Sequence, residues 1–177
     1  ENLHFYDAIA PIIDGSSIDM GKSFFGSRYE PENKDYLNIP LSRDDYYSFI
    51  ENLLSAETVP LHSFEKFYEG CLPIEEMARR GKDTLAYGTL KPVGFDEKLE
   101  GIRPFAIIQL RRENVAGSAF NLVGFQTKMT REAQKNLFRK FSSLQKAEFL
   151  RYGSIHKNSY IKSPELLNKD FSLKGGK

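Results

Sequence analysis

Two apolar runs separated by one short polar loop constrain this chain more than any other feature. Pro104-Phe105-Ala106-Ile107-Ile108-Gln109-Leu110-Arg111-Arg112 and Ala119-Phe120-Asn121-Leu122-Val123-Gly124-Phe125-Gln126-Thr127 are joined by Glu113–Ser118, which contains Gly117. Runs rich in branched and aromatic residues read as strands. A short connection with a glycine reads as a hairpin with a longer loop. The sheet is therefore expected to be largely antiparallel.

Helical signals flank that hairpin. Tyr46, Phe49, Ile50, Leu53 and Leu54 repeat at the spacing of one helical face, and Ser42 precedes Asp44 and Asp45. That pattern predicts a helix over 43–56 with Ser42 as its N-cap and acidic residues in the first turn. Pro73 opens and Gly81 closes a short helix over 73–80. Thr130 caps a further helix through Phe141, with Ala133, Leu137 and Phe138 on one side. Further strands are expected over 3–13 (broken by Pro11 and ended by Asp14-Gly15-Ser16), 84–90 and 147–155. Residues 27–40, with Pro31, Asn33, Asp35, Asn38 and Pro40, read as loop, and the polar tail from Lys162 reads as frayed. The class is α+β: a mostly antiparallel sheet with flanking helices.

A chain of 177 residues can bury an ordinary hydrophobic core. Its net charge of +1 gives no bulk attraction to nucleic acid, so any RNA-binding face must be a local patch. No run is long enough for a transmembrane helix. The opening Glu1–Asp7 has neither the basic start nor the apolar stretch of a signal peptide, and the absence of an initiator Met is read as a start within a longer protein or after processing. One cysteine allows no intrachain disulfide, which fits a reducing cytoplasm. One cysteine and three scattered histidines do not make a structural zinc set. No Gly-x-Gly-x-x-Gly is present, so the phosphate-binding half of a dinucleotide-binding domain is not within these residues.

Three places hold candidate chemistry. Cys71 lies in Gly70-Cys71-Leu72-Pro73. With Pro73 as the first helical residue, Leu72 would be the N-cap and the thiol would sit one step outside, beside unpaired N–H groups that favour a thiolate. Gly70 leaves room for a ligand. A lone cysteine is also commonly an inert, small buried hydrophobe. Arg79 and Arg80 either meet phosphate or complement the C-terminal end of a helix dipole. Arg111 and Arg112 either meet phosphate or form a solvated strand edge. Arg151-Tyr152-Gly153-Ser154-Ile155-His156-Lys157-Asn158 crowds a histidine, two cations and an amide after a strand, the density of a ligand site.

Several of these segments, taken in order, resemble the folate- and FAD-dependent tRNA (uracil-C5)-methyltransferases, a family related to the GidA flavoproteins. They are Phe5-Tyr6-Asp7-Ala8-Ile9-Ala10-Pro11-Ile12, Ser17-Ile18-Asp19-Met20, Ser27-Arg28-Tyr29, Phe67-Tyr68-Glu69-Gly70-Cys71-Leu72-Pro73, Ala78-Arg79-Arg80-Gly81, Leu90-Lys91-Pro92-Val93-Gly94, Gln109-Leu110-Arg111, Asn121-Leu122-Val123-Gly124-Phe125-Gln126-Thr127 and Arg151–Asn158. Singly each is weak; together they span nearly the whole chain. Leu72 stands where methionine is common.

The resemblance implies an FAD-binding domain interrupted by an insertion. Residues 27–146 would be that insertion, and 1–26 and 147–177 would lead to and from the FAD-binding domain of the same polypeptide. It implies 5-methyluridine formation in the T loop of tRNA, with 5,10-methylenetetrahydrofolate as carbon donor, FAD as hydride carrier and NAD(P)H as reductant. Cys71 would be the nucleophile. His156, Lys157 and Asn158 would face the folate and flavin, and Arg79, Arg80, Lys91, Arg111 and Arg151 would meet RNA phosphate. No metal and no membrane enter this reading. Alternatives at this stage are the same chemistry on ribosomal RNA, a wobble-uridine modifier of a sister family (against which Gly70-Cys71-Leu72-Pro73 argues), an RNA-binding module without chemistry, and an α+β domain whose cysteine is structural.

Overall fold

A computed structural model of the chain describes residues 3–30, 33–60, 72–95 and 103–175. Cys71 and the Phe67–Gly70 segment before it lie outside the described residues. The expected hairpin is present. β5 (Ala106–Arg112) and β6 (Ala119–Leu122) pair antiparallel with Leu110 opposite Leu122, and Gly117 turns the loop at φ 65°. The second strand stops at Leu122 and does not reach Thr127. Gly124 takes φ 78°, where a Cβ would meet Thr89 Cγ2 at 2.0 Å; that left-handed backbone turns the chain out of the sheet.

The hairpin lies inside one six-stranded sheet, with β2 (Ile12–Asp14), β3 (Phe24–Phe25), β4 (Tyr36–Leu41) and β7 (Phe149–Arg151). The order is β3-β4-β5-β6-β2-β7, and every pairing is antiparallel. β4 corrects the loop expected over 27–40. Pro40 is tolerated because its missing N–H falls on the β3 side. There Gly26 N–H reaches Tyr36 O, Phe24 pairs with Asn38, and β3 has ended before Pro40.

A second, two-stranded sheet pairs β1 (Leu3–Ile9) with β8 (Ser154–Tyr160). The single strand expected over 147–155 is thus two strands in different sheets. Gly153 marks the switch: its N–H donates to Gln134 Oε1 at 2.8 Å, and its carbonyl accepts from Gln134 Nε2 at 2.9 Å. A Cβ there would meet Thr127 Cγ2 at 2.5 Å and Ile9 O at 2.8 Å.

α1 (Arg43–Ser55) carries the expected cap as a full capping box: Asp45 N–H donates to Ser42 Oγ, and Ser42 N–H donates to Asp45 Oδ2. Its inner face is Tyr46, Phe49, Ile50 and Leu53, while Leu54 is exposed. α2 (Ile74–Arg79) begins one residue later than expected, with Pro73 as N-cap. Leu72 is therefore not the N-cap, and Ile74 N–H is already taken by Gln126 O at 2.7 Å. The strand expected over 84–90 is instead a short helix, α3 (Thr84–Tyr87). Leu85 and Ala86, adjacent in sequence, are both buried, which one turn of helix allows and an alternating strand does not. α4 (Arg131–Phe138) is capped by Thr130 Oγ1 as expected but ends before Phe141. The tail forms α5 (Ser163–Leu166) and a Leu167–Leu173 bridge.

The core lies between one sheet face (Ile13, Leu37, Ile39, Ile108, Leu110, Leu122) and the helices. It is sealed by an aromatic cluster, with ring centroids 5.2 Å apart for Phe49 and Phe141 and 5.6 Å for Phe125 and Phe138. Among the described residues no helix is long and apolar enough to cross a membrane.

Candidate functional site

The chain emerging from Cys71 is fastened within four residues. Glu75 is fully buried, and its carboxylate accepts from Thr127 Oγ1 (3.1 and 3.0 Å) and from Lys128 N–H (2.7 Å). Thr127 Oγ1 in turn accepts from Met129 N–H at 3.0 Å. On the next position, Glu76 Oε1 meets Lys128 Nζ at 2.6 Å. Burial pushes the Glu75 carboxyl above its ordinary range, and the bonds from Lys128 and Thr127 pull the other way. Because Gly153 packs on Thr127, the same 123–130 loop touches both the segment after Cys71 and the entry to β8. Sequence reasoning missed Glu75: in the first turn beside Glu76 it looks like ordinary helix-dipole charge.

β8 carries His156, Lys157 and Asn158. His156 is opposite Asp7 across the ribbon, with Nδ1 3.8 Å from Asp7 Oδ1 and 3.1 Å from Asn158 Oδ1. Strand alternation places His156 and Asn158 on one face and Lys157 on the other, opposite Tyr6. Asp7 Oδ1 and Asn158 Nδ2 are buried without hydrogen-bond partners among the described residues. An acceptor and a donor left open beside an imidazole fit the edge of a polar heterocycle. Asp7 was the readable signal here, an acid inside the apolar run Tyr6–Ile9.

The five candidate cations fall in two pairs and a single lysine. Arg79 and Arg80 close α2. Arg79 Nη1 is 3.8 Å from Glu76, and Arg80 is the C-cap, so the dipole-complementing reading accounts for their positions. Arg111 and Arg151 share a cross-strand row, Tyr36–Arg111–Asn121–Ile12–Arg151, on the sheet face away from the main core. Three strand spacings separate them, on the order of 14 Å. Arg111 is 3.5 Å from Glu113. Lys91 Nζ donates to Tyr29 Oη at 3.1 Å. Deeper on the same face, Gln109 Nε2 donates to Asn38 Oδ1 at 3.0 Å, and Asn38 Nδ2 satisfies the Gly26 carbonyl at 3.0 Å.

This α+β chain belongs to the glucose-inhibited division protein A family, whose model matches residues 1–177. It is 52% identical over 175 residues to the methylenetetrahydrofolate–tRNA-(uracil-5-)-methyltransferase TrmFO of Oleidesulfovibrio alaskensis, covering 98% of this chain and 39% of that protein. It is 53% identical over 176 residues to the TrmFO of Myxococcus xanthus, covering 97% of this chain and 38% of the relative. The chain therefore spans about two fifths of the curated relatives it matches. Aquifex aeolicus GidA in two crystal forms shares the fold, with TM-scores of 0.53 and 0.54 at 12% and 14% identity, covering 97% and 94% of this chain and 28% of each GidA chain.

Proposed function

We propose that this chain is the middle part of a folate- and FAD-dependent enzyme that forms 5-methyluridine in the T loop of tRNA. The observation that carries the reading is identity near one half, over almost every residue, to curated proteins named for that reaction. The insertion would be 27–146 and the flanks 1–26 and 147–177. The β1–β8 ribbon is the portion of those flanks that leaves the six-stranded sheet, so it would be the connection to the FAD-binding domain. A tRNA substrate fits a cytoplasmic enzyme.

Cys71 would act as nucleophile. Uracil C5 is a weak carbon nucleophile; addition of a thiolate to C6 forms the S–C6 bond and pushes the C5–C6 electron pair toward C5 and O4. C5 can then bond to a one-carbon electrophile and lose its proton to a base as the tetrahydrofolate nitrogen leaves that carbon, giving an exocyclic methylene; hydride added to the methylene makes the methyl group and expels the thiolate as the C6–S bond breaks. Bound 5,10-methylenetetrahydrofolate would supply that carbon, and flavin reduced by NAD(P)H would supply the hydride that completes the methyl group. His156 and Asn158 would orient the pterin from one face of the ribbon. Arg79, Arg80, Lys91, Arg111 and Arg151 would meet RNA phosphate, and the stacked T-loop uracil would have to swing out to reach the thiol.

The test is methylation of unmodified tRNA transcript by the complete polypeptide, with FAD, methylenetetrahydrofolate and NADPH, comparing wild type with Cys71→Ala. Wild-type 5-methyluridine that the alanine variant does not make is expected. Equal methylation by both variants removes Cys71 from the chemistry, and methylation of ribosomal RNA alone moves the substrate.

A further inference from the structure

Arg28 is a cation with an incomplete set of partners among the described residues. Its guanidinium is half-buried and donates through Nη2 to Thr89 O at 2.8 Å, while its Nε is buried and finds no partner among those residues. Among the described residues no carboxylate comes within ion-pair distance of it. Burial accordingly lowers its pKa. A charge held this way is costly unless an anion arrives to meet it.

The loop carrying Lys91 is pressed onto Arg28. Gly94 takes φ 91°, and a Cβ there would stand 1.9 Å from the Arg28 carbonyl oxygen. Lys91 Nζ therefore sits beside Tyr29, 3.1 Å from its hydroxyl and 5.7 Å from its ring centroid. Tyr29 itself is 77% exposed, a large flat surface beside two positive charges. The nearest acid in sequence, Glu30, is engaged by Asn33. Tyr36, in electrostatic contact with Arg28, begins the row that continues to Arg111 and Arg151.

We propose that Arg28, Tyr29 and Lys91 form a contact for single-stranded RNA, the two cations on backbone phosphate and the tyrosine ring stacked on a base. The pairing of fixed cations with an exposed ring is what an unpaired strand needs: phosphates to neutralise, and a base face open to stacking. The identity of the polymer rests on the tRNA reading above, to which this adds Arg28 and Tyr29 as residues on its path.

The experiment titrates the complete protein with unmodified tRNA transcript by fluorescence anisotropy across about 50–200 mM salt. Lys91→Gln should weaken binding several-fold and flatten the slope of log K against log salt by roughly 0.7–0.9, one phosphate contact. Tyr29→Leu should weaken binding about 5- to 30-fold with the slope unchanged, as loss of a stacked base requires. Arg28→Gln also loses the bond to Thr89, so the two exposed-site variants, checked for an unchanged melting temperature, decide the matter. Wild-type affinity and slope in both would overturn the contact, as would equal competition by fully duplex RNA. A wild type that methylates tRNA while both variants bind normally sinks this contact alone; a wild type that binds tRNA through these residues but methylates none sinks the enzymatic reading alone.

Discussion

Thr127 Oγ1 lies within 3.1 Å of both carboxylate oxygens of Glu75, and both residues are fully buried. A single hydroxyl thus serves an acid at the start of α2 while accepting from Met129 N–H. Thr127→Val keeps the shape and removes the hydroxyl. It leaves the carboxylate and the Met129 N–H short of a partner, a loss of about 1–3 kcal/mol. Urea denaturation should show an earlier midpoint with an unchanged slope; a midpoint equal to wild type would mean the bond contributes nothing net.

The same acid makes stability depend on pH. Its folded pKa is raised above the ordinary 4.5, so the folded state holds the proton to higher pH than the unfolded chain does. Between the two values the folded state binds more protons, and stability falls as pH rises. Wild type should therefore gain stability relative to Glu75→Gln as pH is lowered from neutral toward 4.5. A difference that is flat over that window, or that runs the other way, contradicts the raised pKa.

Gly153→Ala tests the switch between the sheets. The new methyl would sit 2.5 Å from Thr127 Cγ2 and 2.8 Å from the Ile9 carbonyl, and the carbonyl belongs to backbone that cannot simply step aside. We expect a loss of about 1–3 kcal/mol from overpacking, together with faster amide exchange in β8. An unchanged melting temperature would show that the junction is looser than this spacing implies.

The β1–β8 ribbon should be the less protected sheet. Two strands alone are marginal in water, whereas β4 and β5 have partners on both sides within the larger sheet. Native-state hydrogen exchange should find Ser154–Tyr160 opening at lower free energy than Ala106–Leu110. Equal protection would mean that the ribbon is as stably closed as the sheet.

Much of this was legible in the residues. The α1 face, its Ser42 cap, the β5–β6 hairpin and the Pro11 break rest on local rules, and they hold. The misreadings came where tertiary contacts override local pattern. Pro40 looks like a loop residue until its neighbour on the N–H side is known to have ended. Leu85 and Leu90 suggest a strand until Ala86 N–H is seen bonded to Tyr46 Oη at 3.1 Å. At the candidate site, His156 and Asn158 could be named from their neighbours, but consecutive numbering grouped Lys157 with them where strand alternation separates it. Glu75 carried no signal at all, because a buried acid and a solvated one have the same letter.

The pairing of Leu3 with Tyr160 brings two distant points of the chain to neighbouring-strand distance, about 5 Å. To any larger polypeptide containing it, the fold between them is therefore a loop already closed. The entropy of bringing those ends together is met by the ribbon itself, and a host can accept or lose the whole unit at one site without moving its own strands apart.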